Sequence, residues 1–298
     1  MKRFTYEQAF SRNIGWVTVA EQAVLRGKRV AVAGLGGVGG SHLLTLARLG
    51  IGAFHIADFD TFEVTNFNRQ AGALVSTLGR PKVEVLTEMA KDINPELDIQ
   101  ALPDSVSEGN LDRFLAGVDV YVDGLDFFAI DARRATFAAC ARLGIPAITA
   151  APLGMGAALL NFLPGRMTFE EYFRLDGLSE EDQAIRLLLG LSPAMLQRRY
   201  LADRRAVDLA AHKVPSTAMA CQICAGMAAT EALKIMLKRG KVYAAPASLQ
   251  FDAYRGRLVR SRRRWGNRSP WQRIAIAIAR RQLGVTKRRT AARSAVRP

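Results

Sequence analysis

Short apolar runs alternate with longer stretches of helical spacing along this chain. Residues 7–27 have a polar-flanked helical pattern that breaks near Gly27. Arg29 to Gly34 encloses Val-Ala-Val-Ala, a run that predicts a buried strand. Ser41–Leu49 sets Leu43, Leu44, Leu46 and Ala47 at helical spacing, and Ala53–Asp58 reads as a second strand. Further on, the pattern predicts a helix over Lys82–Ile93 and strands over Leu97–Leu102, Val118–Val122 and Pro146–Thr149. A helix is predicted over Ala218–Leu237. Strand, glycine turn, helix, strand is a βαβ unit. The predicted fold class is therefore α/β: a Rossmann-like, doubly wound, mostly parallel sheet with flanking helices. Residues 165–214 are rich in helix formers, and Ser179 before Glu180, Glu181 and Asp182 reads as a capped helix start.

The turn after the first strand is Gly34-Leu35-Gly36-Gly37-Val38-Gly39-Gly40. Gly34 permits the tight strand-to-helix turn, Gly36 lets backbone approach a phosphate chain, and Gly39 lets the helix pack on the strand. The helix N-terminus then faces the phosphates. Asp58 ends the second strand, where a carboxylate accepts ribose hydroxyls. These features predict a nucleotide site, but they do not separate NAD from ATP.

Charge adds a second feature. The chain has 298 residues and a net charge of +15, and 15 of its 42 Lys and Arg lie after residue 254, where there is no acid. The body before that point is neutral. Three cysteines, Cys140, Cys221 and Cys224, cannot make a disulfide framework. No uncharged apolar run reaches the ~18–20 residues of a membrane span, and the first residues are not followed by an apolar signal core. The expectation is a soluble cytoplasmic protein in a reducing compartment.

Several more blocks follow in order. Ser11-Arg12-Asn13 precedes the glycines. Asp58-Phe59-Asp60 leads to Asn66-Phe67-Asn68-Arg69-Gln70, then Gly79-Arg80-Pro81-Lys82, then Asp123-Gly124-Leu125-Asp126. Together they resemble the ThiF/MoeB family, adenylyltransferases related to ubiquitin-activating enzymes. The resemblance covers residues 6–164 well and 215–255 more loosely. It implies that Gly37 and its neighbours line the nucleotide phosphates and that Asp58 holds the ribose. It implies that Asn66, Arg69 and Lys82 face the triphosphate and that Asp126 holds Mg²⁺. It makes Arg12 similar to the arginine that reaches the partner subunit's site in family homodimers, and Gln70 a support for Arg69. The implied reaction is attack of a carboxylate on the α-phosphate of ATP, with cationic clamps stabilising the charge that develops.

Each assignment has a plain alternative. Arg12 also reads as a solvated helix residue and Lys82 as an exposed first-turn lysine. Asp126 reads as a helix N-cap, Asp123 as a strand-end cap, and Asp60 as part of the metal site or the end of the strand. His42 reads as a packing or surface residue and His55 as structural.

The chain also departs from the family pattern. Many members carry a zinc in two CxxC pairs, and here Cys221-Gln-Ile-Cys224 stands alone, which two ligands do not complete. It reads as a buried inert pair, with a redox or thioester role as the alternative. Residues 165–214 hold no cysteine, so a covalent intermediate there is disfavoured. Phe127 and Asp131 stand where relatives carry Asn and a basic residue, with Arg133 or Arg134 as a substitute base.

The expected organisation is an adenylation domain over 1–254, with 165–214 as a helical crossover insert, and a basic helix and tail over 255–298. In Trp271–Leu283, Trp271, Ile274 and Ile278 share one helical face. That piece reads as a helix docked on the body by this face. Otherwise it contacts nucleic acid, an anionic membrane surface or an acidic protein. Residues from about 285 read as disordered. The expected function is ATP-dependent activation of a carboxylate, on a ubiquitin-like protein or a peptide, by a homodimer using ATP and Mg²⁺. The alternatives are a small-molecule or tRNA-borne carboxylate, an NAD(P)-dependent oxidoreductase, and a non-catalytic ATP-binding scaffold.

Overall fold

Successive strand residues face opposite sides of one sheet, and each side carries a core. The computed structural model describes residues 4–209 and 211–283, so the tail expected to be disordered lies outside the described residues. The helix expected over 7–27 is two helices, α1 (Tyr6–Ala9) and α2 (Val19–Arg26). A 3-10 turn at Ser11–Asn13 and Gly15 at φ 111° part them. Thr18 and Glu21 form a capping box that starts α2 afresh.

The predicted βαβ unit follows as β1 (Arg29–Ala33), α3 (Gly37–Leu49) and β2 (Ala53–Ala57). Next come α4 (Lys82–Ile93), β3 (Asp98–Leu102), α5 (Leu111–Phe114), β4 (Val120–Asp123) and α6 (Ile130–Leu143). A hairpin of β5 (Ala147–Leu153) and β6 (Gly156–Phe162) leads into α7 (Phe169–Phe173) and α8 (Glu180–Leu191). The chain continues as α9 (Ala218–Met236), β7 (Ala247–Asp252), β8 (Arg257–Arg262) and α10 (Pro270–Gln282).

The eight strands form one sheet in the order β3-β2-β1-β4-β5-β6-β7-β8. The first five in that order are parallel, and β6, β7 and β8 are antiparallel additions. The α/β, doubly wound, mostly parallel class is as expected. Strand order reverses between β1 and β4, which opens a crevice at their C-terminal ends. Val30 and Val32 of β1 enter a core shared with α3, α4 and α9, while Ala31 and Ala33 enter a core shared with α6, α7 and α8.

The expected division at residue 254 falls in the turn between β7 and β8, whose ends pair as Asp252 with Arg257. The chain beyond it is built into the fold rather than appended to it. Asn267 donates to the carbonyls of Phe173 (2.8 Å) and Arg186 (3.0 Å), and Gln272 donates to the carbonyl of Leu189 (2.6 Å). The docking face of α10 holds Gln272 and Ile276, not the expected face: Trp271, Ile274 and Ile278 are 74%, 51% and 48% exposed. No helix among the described residues is long and apolar enough to cross a membrane.

His42, on α3, is fully buried, and neither ring nitrogen has a hydrogen-bond partner. Burial pushes its pKa down from 6.5 to about 4, with Asp123 pulling the other way. The folded protein thus keeps His42 neutral over a range in which the unfolded chain gains a proton. Its contribution is intact above the unfolded value and is lost as pH falls toward about 4. Urea unfolding at about pH 7.5 and about pH 5 should show wild type losing about 2 kcal/mol from this source. His42→Leu should lose less over the same interval. An unchanged pH slope in the variant would contradict this role.

Candidate active site

Main-chain contacts shape the crevice. Gly34 has φ 80°, a conformation that favours glycine, at the turn from β1 into α3. A Cβ on Gly39 would lie 1.7 Å from the Gly34 carbonyl, and a Cβ on Gly34 would lie 2.4 Å from that of Gly124. The turn, the first coil of α3 and the end of β4 therefore touch backbone to backbone. The N-terminus of α3 opens into a cleft of about 1440 Å³.

Gly34, Gly36, Gly37, Asp58, Asp60, Asn66, Arg69, Lys82 and Asp126 all line this cleft. Gly39 sits behind them as a packing glycine. Asp58 Oδ2 accepts the Leu35 N–H (2.6 Å) and Oδ1 accepts the Asp60 N–H (2.8 Å). Its carboxylate thus braces the glycine turn, and each oxygen keeps a lone pair for a ligand hydroxyl. Burial raises the Asp58 pKa, against the opposing pull of those N–H groups and of Lys82.

Lys82 begins α4 and is 5% exposed. Its Nζ ion-pairs with Asp60 Oδ2 at 2.9 Å, so Asp60 holds the lysine at the cleft wall. Arg69 is half-buried and is braced by the Thr65 carbonyl (3.0 Å) and Asn68 Oδ1 (2.9 Å), not by Gln70. Its stem lies over the start of α3, with Cγ 3.4 Å from a Cβ built on Gly37. No carboxylate pairs with Arg69 among the described residues. Asn66 Oδ1 accepts the Glu63 N–H at 3.0 Å, which fixes the turn carrying Arg69. Gln70 is buried near Gly36, and its Oε1 lacks a partner.

Asp126 is exposed, and its Oδ1 accepts the Phe128 N–H (2.9 Å). It is not the N-cap of α6, which is Ala129. Mg²⁺ takes one or two carboxylates together with substrate phosphates and water. One open carboxylate on this cleft fits that chemistry. No group of three or more potential metal ligands occurs among the described residues.

Asp123 is buried, and its Oδ2 accepts from Arg133 Nε (2.8 Å) and Thr149 Oγ1 (2.9 Å). Arg133 also donates to the carbonyls of Leu125 (2.6 Å) and Phe127 (3.3 Å). It holds the loop bearing Asp126, so it is committed to structure rather than free to act as the substitute base. Arg134 pairs with Glu170 and Asp176, outside the cleft. Arg12, exposed on its 3-10 turn, does not line the cleft of its own chain. His55 bonds the Phe114 carbonyl (2.7 Å) and Arg29 (2.8 Å), a structural position.

Cys221 and Cys224 are buried, and burial raises both thiol pKa values. Cys221 nevertheless lines the cleft, with a Cβ on Gly37 3.0 Å from its Sγ. The sequence reading passed over Gly124, whose signal was its place directly after a strand-end Asp, and the roles of Thr149 and Arg133. It also missed the far wall of the cleft, formed by α8, the segment after it and α10.

A profile of the ThiF family matches residues 10–272. The chain is 37% identical over 145 residues to a Haemophilus influenzae tRNA threonylcarbamoyladenosine dehydratase, covering 48% of this chain and 55% of that one. It is 33% identical over 143 residues to the Escherichia coli sulfur carrier protein ThiS adenylyltransferase, covering 48% and 56%. The chain thus spans about half the length of the curated relatives it matches. A crystal structure of E. coli tRNA N6-threonylcarbamoyladenosine dehydratase in complex with ATP superposes with a TM-score of 0.57 at 24% identity. That match covers 78% of this chain and 95% of that one.

Removing Arg133 tests the loop-holding network. Arg133→Ala leaves Asp123 buried without its ion pair, a loss of about 3–5 kcal/mol. Denaturant unfolding should show a fall of that size. A change below about 1 kcal/mol would mean that the pair does not hold the loop.

Proposed function

The chain belongs to the ThiF family, and from that premise we propose that it is an ATP-dependent adenylyltransferase activating a carboxylate on a peptide or small protein. The product is an acyl-adenylate, and pyrophosphate leaves. The observation that carries this reading is the gathering of Arg69, Lys82 and Asp126 around the N-terminus of α3 in one cleft. An oxidoreductase reading accounts for the glycine turn and Asp58 but leaves those three residues without a task.

The residues divide the work as follows. Backbone N–H groups at the start of α3 meet phosphate oxygens, and Asp58 takes the ribose hydroxyls. An incoming carboxylate oxygen bonds to the α-phosphorus as the bond to the bridging oxygen of pyrophosphate breaks. Negative charge grows on the α-phosphoryl oxygens and on the leaving group. Arg69 presents a planar guanidinium to it and Lys82 a point charge. Asp126 would hold Mg²⁺, which supplies further neutralisation of the triphosphate. The step needs no protein nucleophile, which agrees with thiols whose pKa values burial raises. We read Arg12 as a residue delivered to the cleft of a second copy in a homodimer.

A second reading keeps the chemistry but puts the carboxylate on tRNA. It is favoured by the 37%-identical relative and by exposed Arg257, Arg260, Arg262 and Arg273 on β8 and α10. It predicts binding that weakens steeply with salt.

ATP–pyrophosphate exchange tests the main reading. Arg69→Ala should lower exchange by about 10²–10³-fold. Co-expressed Arg69→Ala and Arg12→Ala chains should regain up to about a quarter of wild-type activity through mixed dimers. Full exchange by Arg69→Ala would overturn the assignment.

A further inference from the structure

The far half of the cleft has no part in the nucleotide reading. Leu188 of α8, then Met195, Leu201 and Val207, face it, and Ile278 and Leu283 close it from the C-terminal end of α10. Arg198 and Arg204 are its cations, and both are exposed. Among the described residues lining it from 185 to 209 and from 275 to 283 there is no carboxylate. The wall also continues past the mouth. Ile278 leads along α10 to Ile274 and Trp271, an exposed apolar strip at helical spacing flanked by exposed Arg273 and Arg281.

A volume of about 1440 Å³ exceeds the roughly 300–1,000 Å³ typical of a small-molecule site, so the nucleotide leaves room. We propose that this half of the cleft and the strip beyond it hold an extended peptide. Its last residues carry bulky apolar side chains, its preceding residues are acidic, and its terminal carboxylate reaches the glycine turn. This rests on the adenylation reading above and adds the substrate class. Aliphatic walls reward buried apolar side chains, and arginines with no opposing acid attract carboxylates. A Gly-Gly tail would leave the wall unfilled. RNA would want aromatic faces for stacked bases, where this wall is mostly aliphatic.

The test uses the full chain with ATP and three fluorescent peptides of equal length with free C-termini. One ends in Leu-Leu after an acidic stretch, one in Gly-Gly after the same stretch, and one in Leu-Leu after a lysine stretch. Anisotropy should show the first binding about tenfold or more tighter than either other. Ile278→Glu should remove most of that advantage, while Arg273→Ala should change it by less than about threefold. Equal or tighter binding of the Gly-Gly peptide, an advantage that survives Ile278→Glu, no binding of the first peptide, or tighter binding of bulk tRNA each overturns the proposal. Pyrophosphate exchange run alongside separates the two levels. Peptide binding without exchange rejects the adenylation reading and leaves the binding inference standing. Exchange with some other carboxylate rejects the inference and leaves adenylation standing.

Discussion

Backbone touching backbone at Gly34, Gly39 and Gly124 fixes where β1, α3 and β4 end relative to one another. A Cβ on Gly124 would lie 2.2 Å from the Gly34 carbonyl, closer than any side chain tolerates. With that contact made, the amide end of α3 faces the gap where the strand order reverses. Asp58, Lys82 and Arg69 are arranged around that turn. Asp58, just after β2, braces the turn through the Leu35 N–H, and Asp60 holds Lys82 from the same strand end. Arg69 rests its stem over Gly37.

The opposite rim depends on a second, buried interaction. Asp123 is the last residue of β4 and is paired with Arg133 from α6, which in turn holds two carbonyls of the 125–127 loop. Burying this pair is costly unless each partner is fully bonded, and Thr149 on β5 supplies one more bond to the carboxylate. Asp126 is thereby left exposed on a loop whose backbone is already satisfied, free to meet a ligand. The two Asp residues look alike in sequence, three positions apart. Burial separates their roles.

Much of the first half of the site was legible because its signals are local. A strand, a glycine turn and a helix follow one another in sequence, and α4 carries the residue bounds its apolar spacing predicts. The second half was not legible, for physical reasons. All seven residues of β6 are buried, so the strand shows no alternation to read. β8 is arginine-rich because it is an edge strand, where charge discourages unwanted pairing. Those arginines look like the start of a basic tail and so conceal the last strand of the sheet. In α10 the most apolar stripe is the exposed one, and burial goes instead to Gln272 and Ile276. Hydrophobicity alone cannot reveal a helix anchored by a buried amide on a carbonyl. The far wall of the cleft went unseen for the same reason, since it forms only when α8 and α10 come together.

We infer that this cleft holds a nucleoside triphosphate and not a dinucleotide. Calorimetric titration of the full chain with ATP and magnesium, and separately with NADH, tests it most directly. Saturable binding of ATP, with no heat from NADH, is the expected result. Saturable binding of NADH, with ATP failing to bind, would contradict it.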